Sequence, residues 1–242
     1  MNLVIDIGNT RCKVAIYKDK HLENLQVVQK EELLTAIQQI LMNNPINNSI
    51  LSSVSDFPND LENLLAEQTS LFMVSHNSSF PFKNKYSTPK TLGIDRMVLV
   101  SGAVRKYPNK NVLIIDAGSC ITYDFVTENF EYLGGAISPG LAMRYKSLHD
   151  YTAKLPFLPI NQPENFIGNS TQESIHSGVV NGIIQEINGV IAQYKKKYEH
   201  LTIVLTGGDT NFLSKQLKSS IFANQNFLLE GLNELLIFNN YK

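Results

Sequence analysis

An apolar run ending in Asp-x-Gly, with hydroxyl-bearing residues close behind, occurs twice in this chain. That repeat constrains the fold more than any other feature. The first copy is Leu3-Val4-Ile5-Asp6-Ile7-Gly8-Asn9-Thr10, and the second is Val112-Leu113-Ile114-Ile115-Asp116-Ala117-Gly118-Ser119. Asp6 and Asp116 stand 110 residues apart in a chain of 242. Two matching openings, each followed by a further strand (13–17 and 121–126), predict a duplicated domain with halves at 1–108 and 109–242.

Between these openings the pattern alternates strands with helices, which is the α/β class. Helical spacing of apolar residues predicts helices over 31–42, around 61–65 and from 94 to Pro108, and a long one from Thr171 to Tyr198. Ser170-Thr171-Gln172-Glu173 reads as a capping box opening the long helix. Short strands are expected at 2–5, 49–54, 71–74 and 201–205, and a C-terminal helix at 228–238. Residues 76–90 are polar, carry Pro81 and Pro89, and read as loop.

Composition excludes several classes. Hydrophobic residues make up 43% and charged residues 18%, a globular balance. Lys and Arg number 21 against 22 Asp and Glu, a net charge of −1, so nothing draws the chain to nucleic acid or an anionic membrane. No apolar run is long enough to span a bilayer. Met1 leads straight into Leu3-Val4-Ile5-Asp6 without a basic or apolar leader, so a cytoplasmic location is expected. Cys12 and Cys120 are too few for a disulfide framework, and the five histidines lack zinc-site spacing.

Three apolar strands end in glycine beside acids or hydroxyls: at Asp6-Ile7-Gly8-Asn9-Thr10, at Asp116-Ala117-Gly118-Ser119 and at Thr206-Gly207-Gly208-Asp209. Strand ends deliver side chains to one rim of a sheet, where α/β proteins bind ligands. Glycine lets the backbone approach a ligand, and freed N–H groups suit phosphate oxygens. Asn9, Thr10 and Ser119 add neutral donors. An Asp at such a turn repels phosphate unless a cation lies between, so the pattern suggests metal-assisted nucleotide chemistry. Taken singly, each turn is also ordinary Asp-Gly or Asn-Thr turn chemistry. The chain has no GxxxxGK[ST], no GxGxxG and no GxSxG.

With these motifs stand Leu92-Gly93-Ile94-Asp95-Arg96, Gly135-Ala136-Ile137-Ser138-Pro139-Gly140 and Gly168-Asn169-Ser170-Thr171-Gln172-Glu173-Ser174-Ile175. In this order the set resembles the type III pantothenate kinases, of the acetate and sugar kinase/Hsp70/actin superfamily. The resemblance covers nearly the whole chain. It implies two ribonuclease H-like halves in tandem, the actin-like ATPase fold, and a homodimer. It also implies ATP-dependent phosphorylation of pantothenate, the first step of coenzyme A synthesis, with Mg²⁺ and a potassium or ammonium ion.

The resemblance assigns roles. Asp6, Ile7, Gly8, Asn9, Thr10, Arg11, Cys12 and Lys13 match the first phosphate loop, with Asp6 holding magnesium. Asp95 matches the catalytic base. Tyr86, Gly93, Ile94, Asp95, Arg96 and Thr171 match substrate contacts. Asp116 matches the ligand of the monovalent cation, and Ser119 an ATP contact. Ser119 and Cys120 stand where the family commonly has Thr and a small residue such as Ala.

Asp95 also has an argument of its own. A primary alcohol is a poor nucleophile at neutral pH, and a carboxylate in reach orients it and accepts its proton. Arg96 suits a carboxylate, which it can bind bidentately. The plainer roles are a helix-start charge for Asp95 and a surface ion pair for Arg96. Intact Asp6, Asp95, Arg96 and Asp116 favour an enzyme. The alternatives are a non-catalytic regulatory or accessory protein on the same fold, or a kinase of another small alcohol.

Overall fold

The computed structural model describes residues 1–8, 11–53, 57, 59–217 and 220–240. Asn9, Thr10 and Val54 lie outside these residues. The chain forms two compact units. The first comprises Met1–Pro108, Phe130–Tyr132 and Asn226–Lys242; the second comprises Asn109–Asn129 and Leu133–Gln225.

The first unit opens with β1 (Asn2–Ile7) and β2 (Cys12–Lys18), an antiparallel pair, followed by β3 (His21–Val28) against β2. Helix α1 (Leu33–Asn43), β4 (Asn48–Ser53), α2 (Asn59–Gln68) and β5 (Ser70–Met73) complete a sheet of order β3-β2-β1-β4-β5. The pair β1–β4 and the pair β4–β5 are parallel. A two-residue strand β6 (Lys83–Asn84) and helix α3 (Ile94–Lys106) follow.

The second unit repeats this plan. Strands β7 (Val112–Ala117) and β8 (Cys120–Val126) are antiparallel, and β9 (Glu131–Pro139) lies beyond β8. Helix α4 (Leu141–Asp150) and the 27-residue α5 (Thr171–Lys197) lead to β10 (Thr202–Thr206), α6 (Thr210–Ser214) and β11 (Phe222–Ala223). The strand order is β11-β10-β7-β8-β9-β6: the first five strands repeat the order of the first sheet, with the same parallel and antiparallel pairings around the central strand, and β6 is added at the edge beside β9. Helix α7 (Phe227–Asn240) ends the described chain.

The expected half 109–242 placed the C-terminal helix with the second sheet, but its contacts lie in the first unit. The reason is its leucine stripe. Leu229, Leu232, Leu235 and Leu236 are fully buried against Val4, Ala15, Tyr17 and Ile50 of the first sheet and Val98 of α3. Truncating one such leucine to alanine costs about 2–5 kcal/mol.

Side-chain alternation sets the rest. Leu3, Ile5 and Ile7 face one side of the first sheet, with Leu33 and Ile37 of α1 and Leu61 and Leu65 of α2. Val4 faces the other, with α3 and α7. Asp6 shares the parity of Val4 and so belongs to the face that α3 covers. In the second unit Leu113, Ile115 and Ala117 face α5, whose Val179, Ile183, Ile187 and Ile191 are buried.

Several boundaries differ from the sequence reading. The strand expected to end at Ile5 continues through Asp6 to Ile7, because Asp6 pairs with Lys13 on one side and Ser52 on the other. Strand β3 showed no alternation to read, since it is a largely exposed edge strand. The 76–90 loop contains β6 and runs into a short 3₁₀ turn at Pro89–Thr91. The capping box at Ser170 is half formed. Ser170 Oγ accepts the Glu173 N–H at 3.2 Å, but the Glu173 carboxylate accepts from Asn169 N–H at 3.1 Å, one residue earlier than the motif requires.

Candidate active site

At the first rim the Asp6 carboxyl sits at the end of β1, opposite Lys13 on β2. Burial pushes its pKa up to about 6. Lys13 pulls it down, and the nearby Asp95 charge pushes it up again. Gly8 closes the turn beyond by donating its N–H to Arg11 O at 3.2 Å. Arg11 is exposed, while the side chains of Ile7 and Cys12 are fully buried in the core. Those two residues therefore offer the loop only their backbone. Burial raises the Cys12 thiol, which fits an inert packed residue.

Asp95 lies in the first turn of α3, the helix that packs on the Asp6 face. Its Oδ1 accepts the Arg96 N–H at 2.9 Å. A side chain at Gly93 would bring its Cβ within 2.3 Å of that same oxygen, so the helix-start glycine is what lets the carboxylate fold back there. Arg96 is 5% exposed, and its guanidinium lies 5.8 Å from the centre of the Tyr86 ring. Tyr86 stacks in turn on the buried Tyr132, with centroids 6.2 Å apart. His76 Nε2 bonds Leu92 O at 2.8 Å, fixing the loop that presents Gly93 and Ile94. The structure thus gathers Asp6, Lys13, Tyr86, Gly93, Ile94, Asp95 and Arg96 within one unit.

The second rim carries Asp116 and Ser119. Asp116 ends β7 opposite Thr122 of β8 and Thr206 of β10. Gly207, at φ +95°, runs so close that a Cβ there would lie 2.4 Å from Asp116 Oδ1 and 2.3 Å from Ala117 O. Asp209 N–H donates to Ala117 O at 2.9 Å, and burial raises the Asp209 carboxyl. Ser119 is exposed at the β7–β8 turn, and its carbonyl accepts the Gly140 N–H at 3.2 Å. Thr171, in the first turn of α5, lines a cavity of about 880 Å³ with Arg144, Asn169, Ser174 and Gly178.

Two residues of this region escaped the sequence reading. Arg144 donates from Nε to Pro139 O at 2.9 Å and from Nη2 to Ser138 Oγ at 3.1 Å, and it pairs with Glu186. Burial works against the Glu186 carboxylate. Hydrogen bonds from Arg144, Tyr123 and Ser138 outweigh it and hold the group below the usual carboxylate range. Arg144 had one available signal, its place four residues after Gly140. Glu186 had none, because its partners lie 42 and 63 residues away.

The sequence model of the type III pantothenate kinases matches residues 2–193. A type III pantothenate kinase of Christiangramia forsetii is 53% identical over 240 residues, covering 99% of both chains. This chain belongs to the type III pantothenate kinase family. Among solved structures, a candidate Baf family transcriptional activator from Campylobacter jejuni superposes with a TM-score of 0.64 at 22% identity, over 99% of this chain and 100% of that one. A glucokinase from an Antarctic psychrotroph superposes at 0.57 and 12% identity, over 98% of each. At such identities these two show the fold alone, that of the actin-like ATPases and sugar kinases. Among the described residues of this type III pantothenate kinase family member, no helix is long and apolar enough to cross a membrane.

Proposed function

We propose that the protein transfers the γ-phosphoryl group of ATP to the primary alcohol of pantothenate. The observation that carries this reading is the first rim. A carboxylate at a helix start (Asp95) sits beside a buried Arg96 backed by Tyr86, and its charge is felt at Asp6. In this reading Arg96 takes the pantothenate carboxylate, and Tyr86 and the Gly93-Ile94 backbone seat the chain next to it. Asp95 orients the hydroxyl and accepts its proton as the phosphoryl group arrives. Positioning and charge stabilisation are most of what phosphoryl transfer needs.

The donor set suits the implied ions. Asp6 is a desolvated carboxyl whose pKa is raised partly by a second acid, and a cation would relieve that unfavourable charge. Carboxylate oxygens also match the preference of Mg²⁺. Magnesium held at Asp6 would neutralise charge on the phosphates. Asp116, with the carbonyl-rich Ala117–Gly207 approach beside it, is assigned the potassium or ammonium ion. Ser119, together with Gly8, Asn9, Thr10, Arg11 and Lys13, is assigned to ATP, and Thr171 to pantothenate. A homodimer and a cytoplasmic location complete the proposal. Light scattering should give about twice the 27.1 kDa chain mass.

The test is ATP consumption by purified protein offered pantothenate, hexoses or acetate, with and without potassium. Turnover with pantothenate alone, lost when potassium and ammonium are withheld, is the expected result. Turnover with a sugar instead would transfer the reading to another alcohol.

A further inference from the structure

Away from Asp6 and Asp95, the first unit contains a second cavity of about 320 Å³. Helices α3 and α7 create it. They touch at Gly102 and Gly231, where a Cβ on Gly102 would lie 2.9 Å from Gly231 Cα and one on Gly231 would lie 2.6 Å from Val98 O. One turn further on, larger residues replace the glycines, and the space left between the helices is walled by Arg105, Lys106, Phe227 and Glu230.

The polar lining is unevenly matched. Lys20 and Arg105 share the Glu234 carboxylate, at 2.7 and 3.2 Å, and Lys106 pairs with Glu230 at 2.6 Å. Three cations therefore face two carboxylates. Tyr17 also lines the cavity. It is 1% exposed, and among the described residues its hydroxyl is the one buried side-chain oxygen or nitrogen with no hydrogen-bond partner. Burial and the neighbouring Glu230 charge keep that phenol protonated, so it is a donor without an acceptor. An unsatisfied buried donor of this kind is costly and needs an explanation. The fully buried Phe227 ring, with Lys106 Nζ 5.6 Å from its centre, supplies an apolar wall.

We propose that this cavity binds a small organic anion, a carboxylate with a short apolar tail. The head would accept from the Tyr17 hydroxyl beside the cavity's one net positive charge, and the tail would lie on Phe227. The volume is at the small end of the range for ligand sites, about 300–1,000 Å³. The site is distinct from the kinase site: Asp95 and Arg105 are ten residues apart on α3, about 15 Å along the helix axis. It stands whether or not the pantothenate reading does.

The experiment is a ligand-observed NMR titration of the full-length protein with sodium butyrate, in parallel with inorganic phosphate, each with and without excess pantothenate. The wild type is compared with Tyr17→Phe and Arg105→Gln. Tyr17→Phe removes only the unpartnered hydroxyl, so it should melt at or above the wild-type temperature. Saturable butyrate binding that survives pantothenate, exceeds phosphate binding and weakens about tenfold or more in both variants is expected. Absence of saturation up to about 10 mM overturns the proposal. So does displacement by pantothenate, or unchanged affinity in Tyr17→Phe, which would leave the hydroxyl to an ordered water. Phosphate binding as tightly as butyrate overturns the organic part of it.

Discussion

Asp6 and Asp116 hold equivalent places in two sheets that share a five-strand order, yet their surroundings differ. Opposite Asp6 stands Lys13; opposite Asp116 stands Thr122. The companion acid of Asp6 is Asp95, delivered by a helix packed on the same sheet face. At the second rim the companion is Asp209, delivered by the loop after the neighbouring parallel strand. The first rim thus joins two carboxylates, Lys13 and a buried guanidinium, the set that the proposed reading makes catalytic. The second is built from close backbone approach at Gly207 and the exposed Ser119, the set that the proposed reading gives to ligand holding. Duplication supplied the frame, and the residues added around each Asp set its use.

The largest effect that would sharpen this contrast is at Asp95. Asp95→Asn should lower turnover by about 10²–10⁴-fold, while ATP affinity measured by calorimetry stays within a few-fold. If turnover survives, the first rim has no base. At Asp6 the expected effect is on stability as well as activity. Its folded pKa, about 6, lies above the ordinary value of 3.8, so ionisation penalises the native state. The penalty builds as pH rises from about 4 to about 6 and is complete above that. Metal-free Asp6→Asn should therefore be more stable than wild type at neutral pH by up to about 3 kcal/mol, and the gain should vanish toward pH 4. It should also be inactive. Denaturant melts across that pH range test it, and Mg²⁺ should stabilise the wild type more than the variant.

Arg96→Ala should raise the pantothenate KM by about ten- to a hundredfold with a smaller change in kcat, since the lost bond is to a part of the substrate that does not react. The smallest effects belong to the second rim's glycines. Gly207→Ala should cost about 1–3 kcal/mol, because φ is +95° and the new Cβ meets Ala117 O at 2.3 Å. Gly118→Ala meets nothing within 4 Å and should be close to neutral. Thermal melts of both variants would break the comparison if Gly118 proved the more sensitive.

How much of this was legible in the sequence follows from the range of each signal. The two Asp-x-Gly strand ends, the Gly93-Ile94-Asp95-Arg96 run and the long helix from Thr171 are local patterns, and turn chemistry and periodicity reveal them. The packing of α7 on the first sheet was not legible, because its leucine stripe fits any apolar face. Nor was Tyr132 beneath Tyr86, a contact between residues 46 positions apart. Strand β3 was hidden because an exposed edge strand need not alternate. The resemblance places Ile7 and Cys12 in the phosphate loop, and only the burial of their side chains shows that their backbone alone is available to it.

The central claim is that Asp95 and Arg96 direct ATP's phosphoryl group to an alcohol rather than to water. Phosphorus NMR of the products tests it most directly. Purified protein is given ATP, Mg²⁺, potassium and pantothenate, and the same mixture is run with Asp95→Asn. The account predicts a phosphomonoester, 4'-phosphopantothenate, forming in step with ADP in the wild type and nearly absent in the variant. ADP accompanied only by inorganic phosphate, or phosphomonoester formed at equal rates by both proteins, would contradict it.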